Sequence, residues 1–470
     1  MVGVVETRVV VVGCGAGGAA VAGELSRRGV PVLVAEAGPQ QTEAFGSHIR
    51  NRDTSELGLA PFNDALTEAL VFASGGAGAG PTFEDLKVIH SVGGMFSYWM
   101  CNCPIPHPAE RAPWIPDEEW DSLLQRVHHL LGVGYDLGAG SARQERMIAQ
   151  VGNVTGGREP GREVQRMPVA AQRRADGLRF SSVDDLLASD SQHDEPVVRA
   201  DMICTKVLHS GSRAMGVRLR PRQGGDEIEV RAEIVVVATG TVGTTKLLAG
   251  SGVDAGPALG ANLFDHPAVG SRVVMRPEIL ADVPEDDPVF TVWIPYTPDR
   301  PWHNQICRFP PNPTAIEYNA GPTETADVFT FSSMEVLPEN RFEIDFERLD
   351  PFGLPELVGH YRLSAKDYTT IASGLDEHFR IAAEIGNLVD HRWAPTFFGP
   401  GWSTHMMGSC RMGAVDDGTS CVDSYCRLWG YDNLYVAGNA VFSVSNAGNP
   451  TPMTIAMGLR TAGAIAQHLQ

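Results

Sequence analysis

Four valines in a row, Val9-Val10-Val11-Val12, run straight into Gly13-Cys14-Gly15-Ala16-Gly17-Gly18 near the start of the chain. A β-branched run of this kind belongs to a strand buried on both faces. Gly13, Gly15 and Gly18 have the spacing G-x-G-x-x-G. The first permits a tight turn, the second lets backbone approach a pyrophosphate, and the third lets the next helix pack on the strand. Residues 17–28 read as that helix, ending at Gly29. Its free N–H groups and positive dipole end face the pyrophosphate. Residues 30–35 read as a second strand. Glu36 stands at its end, 18 residues past Gly18, where a carboxylate accepts hydrogen bonds from a ribose diol. Strand, glycines, helix and acid together predict a dinucleotide site, with Gly13, Gly15, Ala16, Gly18 and Glu36 as contacts.

The same style returns twice. Residues 234–240 read as another doubly buried strand, with Thr239 and Gly240 at its tip and a helix over 241–248. Residues 433–439 form a short strand ending at Asn439. Asn449-Pro450-Thr451-Pro452 then open a final helix, whose apolar positions Ile455, Leu459, Ala462, Ala466 and Leu469 step by four and three. Between these units, residues 202–208, 214–219 and 227–230 read as a meander. Residues 268–400 are rich in aromatics and prolines. Alternating strands at 289–294, 327–335 and 341–346 predict a separate antiparallel sheet, with a helix over 366–384. Residues 117–131 carry Trp120, Leu123, Leu124, Val127 and Leu131 on one helical side. The fold class is α/β (α+β overall). A nucleotide domain of three segments (1–106, 197–275 and 405–470) joins a substrate domain of two (107–196 and 276–404). NAD enzymes usually keep their nucleotide domain in one block, so the segmentation favours FAD.

At 470 residues and 43% hydrophobic content, the chain exceeds one ordinary domain. Its 57 acids against 37 bases leave a formal charge of −20, with no basic run. That excludes nucleic acid, anionic membrane and phosphorylated partners, and suits a neutral or cationic substrate. No apolar run is long enough to span a bilayer, and no signal-peptide pattern precedes the first strand. A cytoplasmic enzyme is expected. Of the eight cysteines, Cys101/Cys103 and Cys421/Cys426 are close pairs without zinc spacing. All are read as buried thiols, with no metal site. The glycine-dense residues 74–81 read as a flexible loop and candidate lid. In residues 91–102 two glycines precede aromatics that no period explains. They suit either backbone pressed against a flat ligand or a core turn. Arg173, Arg174, Arg179, Asp184 and Asp185 read as solvated charge.

Several strings carry a resemblance beyond the first motif. They are Gly240-Thr241-Val242-Gly243-Thr244-Thr245-Lys246-Leu247-Leu248, Asn262-Leu263-Phe264-Asp265-His266-Pro267, His405-Met406-Met407-Gly408-Ser409-Cys410-Arg411-Met412-Gly413, and residues 433–459. With Glu36 and the first glycines, they resemble the glucose–methanol–choline (GMC) oxidoreductases over nearly the whole length. Gly93-Gly94-Met95 with Trp99 and Cys101, and Arg300-Pro301-Trp302-His303-Asn304-Gln305-Ile306, are similar to the pyranose oxidase branch and the related bacterial glycoside 3-oxidases. The resemblance implies an FAD enzyme that oxidises a sugar or glycoside hydroxyl at C3 or C2. The electrons would pass to O2 or a quinone-type acceptor. Gly94, Met95, Tyr98, Trp99 and Met100 would line the flavin ring. Val207, Thr239, Gly240, Asn439, Pro450 and Thr451 would also contact the cofactor.

The resemblance makes His405 the base and Asn449 the donor that holds the reacting oxygen. It makes His303 and Gln305 sugar contacts, beside Trp302 as a stacking face; the residues by themselves fit a surface loop equally well. His266 is read as structural, and His360 as a plain strand residue. Two positions depart from the pattern. Tyr98 replaces the histidine that links covalently to flavin, so non-covalent FAD is expected. Met100 replaces a threonine near the reactive flavin edge, which puts the reaction with oxygen in question. The chain is also shorter than the fungal sugar oxidases, which implies a missing oligomerisation arm or loop and leaves a homo-oligomer open. The alternatives are a cyclitol, aminoglycoside or other natural-product alcohol as substrate, or a flavoprotein without turnover.

Overall fold

The structure is a computed structural model. It describes residues 3–51, 83, 86–175, 177–188, 193–284, 287, 291–307, 324–389 and 395–470. The glycine-dense stretch 74–81 lies outside the described residues.

The first sheet is built around the valine run. Strand Gly3–Val12 runs parallel to Val32–Ala35 on one side and to Ile228–Val237 on the other. Val9, Val10 and Val11 have no solvent exposure, as a strand flanked on both edges and covered on both faces requires. Val197–Arg199 extends the sheet beyond Val32–Ala35. Met202–Ser210 and Arg213–Pro221 extend it antiparallel on the far side. Ile228–Val237 is one continuous strand, where the sequence pattern suggests two. Its start pairs with Arg213–Pro221 and its end runs parallel to Leu434–Val436. Arg231 and Glu233 interrupt the apolar pattern without breaking the strand, because that stretch is exposed and Glu233 pairs with Arg8 of the neighbouring strand at 2.9 Å.

Helices Ala16–Ser26 and Thr451–His468 pack against each other beside this sheet. Helix Asp117–Leu130 packs on Thr451–His468, and Val183–Leu187 packs on Ala16–Ser26. Trp120, Leu124, Val127 and Leu186 join the same core. Much of 107–196 therefore belongs with the nucleotide-binding half rather than the substrate half. Arg179 is not free surface charge either: it bridges Asp184 and Asp185, each at 2.7 Å.

The second sheet runs Gly386–Leu388, Ala268–Met275, Thr325–Ser332, Trp302–Cys307, Val292–Ile294, Gln165–Arg166, antiparallel throughout. Ala268–Met275 is an inner strand of this sheet, so the division between the halves falls before residue 268 and not after 275. Helices Ala142–Thr155 and Ala365–Ile385 cover one face, with Met147, Val151, Val273, Ile306, Val328 and Ile381 between them. Side chains alternate along a strand. Among the residues that face away from those helices are Trp293, His303, Gln305, Phe329 and Phe331.

Gly18 is where the first helix presses on the glycine turn. A Cβ there falls 2.0 Å from the carbonyl oxygen of Gly13. Gly152, inside helix Ala142–Thr155, is the contrasting case, since its added Cβ meets only Val164 at 3.5 Å. G18A is expected to lower the thermal midpoint and weaken FAD retention, at a cost of at least ~2 kcal/mol. G152A is expected to leave stability level or raise it by up to ~1 kcal/mol. Thermal unfolding of the two variants checks both.

Candidate active site

A cavity of about 610 Å³ is walled by both sheets. Gly13, Gly15, Ala16, Glu36, Gly94, Met95, Tyr98, Trp99, Met100, Thr239, Gly240, Asn439, Asn449, Pro450, Thr451, Gln305 and His405 all line it. Gly18 stands behind the wall, packed on Gly13.

Helices Ala16–Ser26, Gly240–Gly250 and Thr451–His468 all begin at this wall, and none has a side-chain cap. The first-turn N–H groups of a helix have no partner inside it. By contrast, Ser141 and Ser364 cap the two long helices of the second sheet. Three uncapped N-termini around one cavity form an anion site, and a dinucleotide fits it. At Gly15 a Cβ would project into open space, its nearest neighbour the Gly93 carbonyl oxygen at 4.0 Å, so the backbone is free to meet a phosphate.

Glu36 accepts from the Cys14 and Gly38 N–H groups, each at 2.9 Å. Burial nevertheless pushes its carboxyl up to about 7, against those bonds and the Arg222 charge. Each carboxylate oxygen keeps lone-pair capacity for a diol. The cavity-lining segment from Gly94 to Met100 is held from behind. His48 takes the Arg50 N–H on Nδ1 at 3.0 Å, so its other nitrogen donates to the Trp99 carbonyl at 3.0 Å.

His405 sits on a loop built by one buried carboxylate. Asp265 accepts from the N–H of His266 and of Gly401, each at 2.7 Å, and from the Ser403 hydroxyl. Ser403 Oγ in turn accepts the His405 N–H at 3.0 Å. Thr404, between them, has φ +59°, a strained value for a β-branched residue. The ring of His266 meets the His405 ring edge-on, 5.1 Å between centroids. His405 Nδ1 is shut in and finds no hydrogen-bond partner among the described residues, which leaves Nε2 for the cavity. Burial pushes the imidazole down to about 4, so the ring is neutral at neutral pH.

Asn449 is half-buried on the same wall. Its Oδ1 accepts from Gln305 Nε2 at 2.7 Å, and Gln305 Oε1 accepts from Asn102 Nδ2 at 3.1 Å. The Asn449 N–H groups are thus left for the cavity. A neutral imidazole and an amide donor on one wall suit proton removal from a hydroxyl whose oxygen is held in place.

Three sequence expectations need correction here. Val207 is not on the cavity wall. It is fully buried, its N–H bonds Ser251 Oγ at 2.8 Å, and Met202, Ile203 and Cys204 line the cavity from that strand. A register shift between Cys204 and Lys206 separates the two stretches. Trp302 points to the helix-covered face, donating to Glu377 at 3.1 Å. Trp402, three residues before His405, lines the cavity instead and stacks on Phe398 at 3.6 Å. His303 stands behind the wall, where Nδ1 accepts from the Trp293 indole at 3.2 Å and the ring packs on Phe331. Burial, with the Arg158 charge adding to it, pushes it down to about 3. His266, expected to be structural, packs its ring against that of His405. A further element that sequence reasoning missed is the buried ion pair Lys246–Asp350, 2.9 Å, on the wall beside His90 and Phe352. Only the fold brings those distant positions together. All eight cysteines are free and buried, and among the described residues no cluster could hold a metal.

Known proteins resemble this chain in sequence and in fold. Two family models, both described as GMC oxidoreductase, match residues 152–268 and 338–458. A C-glycoside 3-oxidase of Microbacterium trichothecenolyticum is 30% identical, over 99% of this chain and 97% of that one. A pyranose 2-oxidase of Tricholoma matsutake is 27% identical, over 83% of this chain and 75% of that one. Among solved structures, the pyridoxine 4-oxidase from Mesorbium loti superposes with a TM-score of 0.71 over 98% of this chain and 99% of that one, at 17% identity. The chain belongs to the GMC oxidoreductase family, and is an FAD-dependent oxidoreductase acting on alcohol groups.

Proposed function

We propose that this enzyme oxidises a secondary hydroxyl of a pyranose sugar or glycoside, at C3 or C2, to a keto-sugar. The observation that carries the reading is the shared wall: His405 and Asn449 face the cavity that Glu36 and the three uncapped helix N-termini face. The similarity to a C-glycoside 3-oxidase and a pyranose 2-oxidase supports the substrate class. His405 Nε2 takes the hydroxyl proton, and an Asn449 N–H holds the oxygen. FAD, when bound, supplies the acceptor for the hydride that leaves the same carbon. The positive end of Thr451–His468 favours negative charge beside Pro450 and Thr451. Tyr98 offers no imidazole for a histidyl link, so the FAD is non-covalent. The acceptor of the electrons is O2 or a quinone-type carrier.

Anaerobic mixing with glucose, and then with aryl O- and C-glycosides, is expected to bleach the flavin visible band. Recovery on admitting air marks an oxidase, and no recovery marks a dehydrogenase. No bleaching by any of them contradicts the sugar reading. H405A is expected to slow the bleaching by about 100-fold or more while FAD stays bound.

The pH dependence follows from the sign of the His405 shift. The ring acts when neutral, and its pKa is depressed to about 4. The rate of flavin reduction should therefore hold level down to about pH 5 and fall only as pH drops through about 4. A fall centred near 6.5, the ordinary histidine value, would contradict the buried environment. D265A removes the acceptor shared by His266, Gly401 and Ser403. It should cut the reduction rate by up to about 100-fold through misplacement of His405, with FAD content as the control.

A further inference from the structure

Gln305 lies on the cavity wall, and sequence resemblance makes it a sugar contact. Its hydrogen bonds give it a second task. It is buried, on strand Trp302–Cys307, opposite Trp293 on one neighbour strand and Phe329 on the other. Both ends of its amide are engaged: Nε2 donates to Asn449 Oδ1 at 2.7 Å, and Oε1 accepts from Asn102 Nδ2 at 3.1 Å. The ring behind it, His303 Nε2, is 3.4 Å away and is itself fixed by the Trp293 indole.

We propose that Gln305 is a positioning residue that acts through Asn449, holding that amide with its N–H toward the reacting oxygen. The inference rests on the function proposed above. A terminal amide torsion is broad and nearly two-fold, so an unheld asparagine presents carbonyl and N–H to a substrate with similar ease. One hydrogen bond to Oδ1 removes that ambiguity. The bond also spans the fold. Asn102 comes from the flavin-facing segment, Gln305 from the second sheet, and Asn449 from the residue before Pro450, which caps the final helix. A single side chain thereby sets the second sheet in register with the donor at the reacting centre. Sugar specificity at this point of the wall is then indirect.

The test is a double-mutant cycle on the FAD-loaded enzyme: Q305L, N449A and the pair, with Q305E beside them. The readouts are the limiting rate of anaerobic flavin reduction and the apparent substrate Kd, with whichever alcohol reduces the wild type. FAD content and thermal midpoint serve as folding controls. Q305L is expected to lower the limiting rate about tenfold or more, with Kd changed less than about threefold. In the N449A background the same substitution should change the rate less than about twofold, because residues that act as a unit are non-additive. The carboxylate introduced by Q305E can only accept, which turns the Asn449 N–H away from the substrate. Q305E should therefore be slow at neutral pH and gain rate as pH falls and the carboxyl regains a donor, opposite in sign to the wild type. The proposal is overturned if Q305L raises Kd about tenfold with the rate kept, or if its effect is undiminished in N449A. Failure of every sugar to reduce the wild type counts against the substrate reading, whereas the cycle decides the role of Gln305.

Discussion

Three helix starts without side-chain caps, all at one cavity, organise this molecule. Parallel strands Gly3–Val12, Ile228–Val237 and Leu434–Val436 each hand the chain to one side of the sheet, and short turns there lead into helices or an Asn439 corner. Ligands of such sheets bind outside the carboxyl ends of the strands. Helices Ala16–Ser26, Gly240–Gly250 and Thr451–His468 lack side-chain caps, while Ser141 and Ser364 cap the long helices elsewhere. Glu36 sits among these donors, buried enough to be pushed up to about 7, and its oxygens are held by Cys14 and Gly38. The requirement for an anionic ligand is built into the backbone, and the Glu36 carboxylate adds the fit to a diol.

The second sheet supplies what the first lacks, a wall with selective chemistry. One face is closed by Ala142–Thr155 and Ala365–Ile385, so the other is available to the cavity. Period-two alternation puts Gln305, Phe329 and Phe331 on that wall and sends Trp302 to the closed face. His405 is presented on a loop tied to Asp265 and strained at Thr404. Its ring is crowded by His266 and Phe331, which keeps it neutral. The two halves meet in the hydrogen-bonded series Asn102, Gln305, Asn449.

Local patterns made much of this legible. The valine run, the glycine spacing, Glu36 and the proline-led final helix are written in consecutive residues, and the structure places each around one cavity. Facing was harder. Trp302 and His303 differ by one residue, and a one-residue difference reverses the face, so a polar strand beside an aromatic does not reveal which member meets a ligand. Val207 failed for a related reason, since the irregularity between Cys204 and Lys206 is invisible in an alternating run. Trp402, the Lys246–Asp350 pair and the Asp265 anchor depend on contacts between residues far apart in sequence, which no window of residues displays. The division between the halves was misplaced at Ala268–Met275, because an alternating strand fits either sheet until its partners are known.

The central claim is that one cavity brings a carbinol carbon to the cofactor while His405 and Asn449 hold its oxygen. The most direct measurement is the rate of anaerobic flavin reduction with glucose or a glucoside carrying deuterium at C2 alone, and then at C3 alone. The account predicts a several-fold primary isotope effect at one of the two positions and none at the other. Equal rates for both labelled sugars and the unlabelled one, with chemistry limiting, would contradict it.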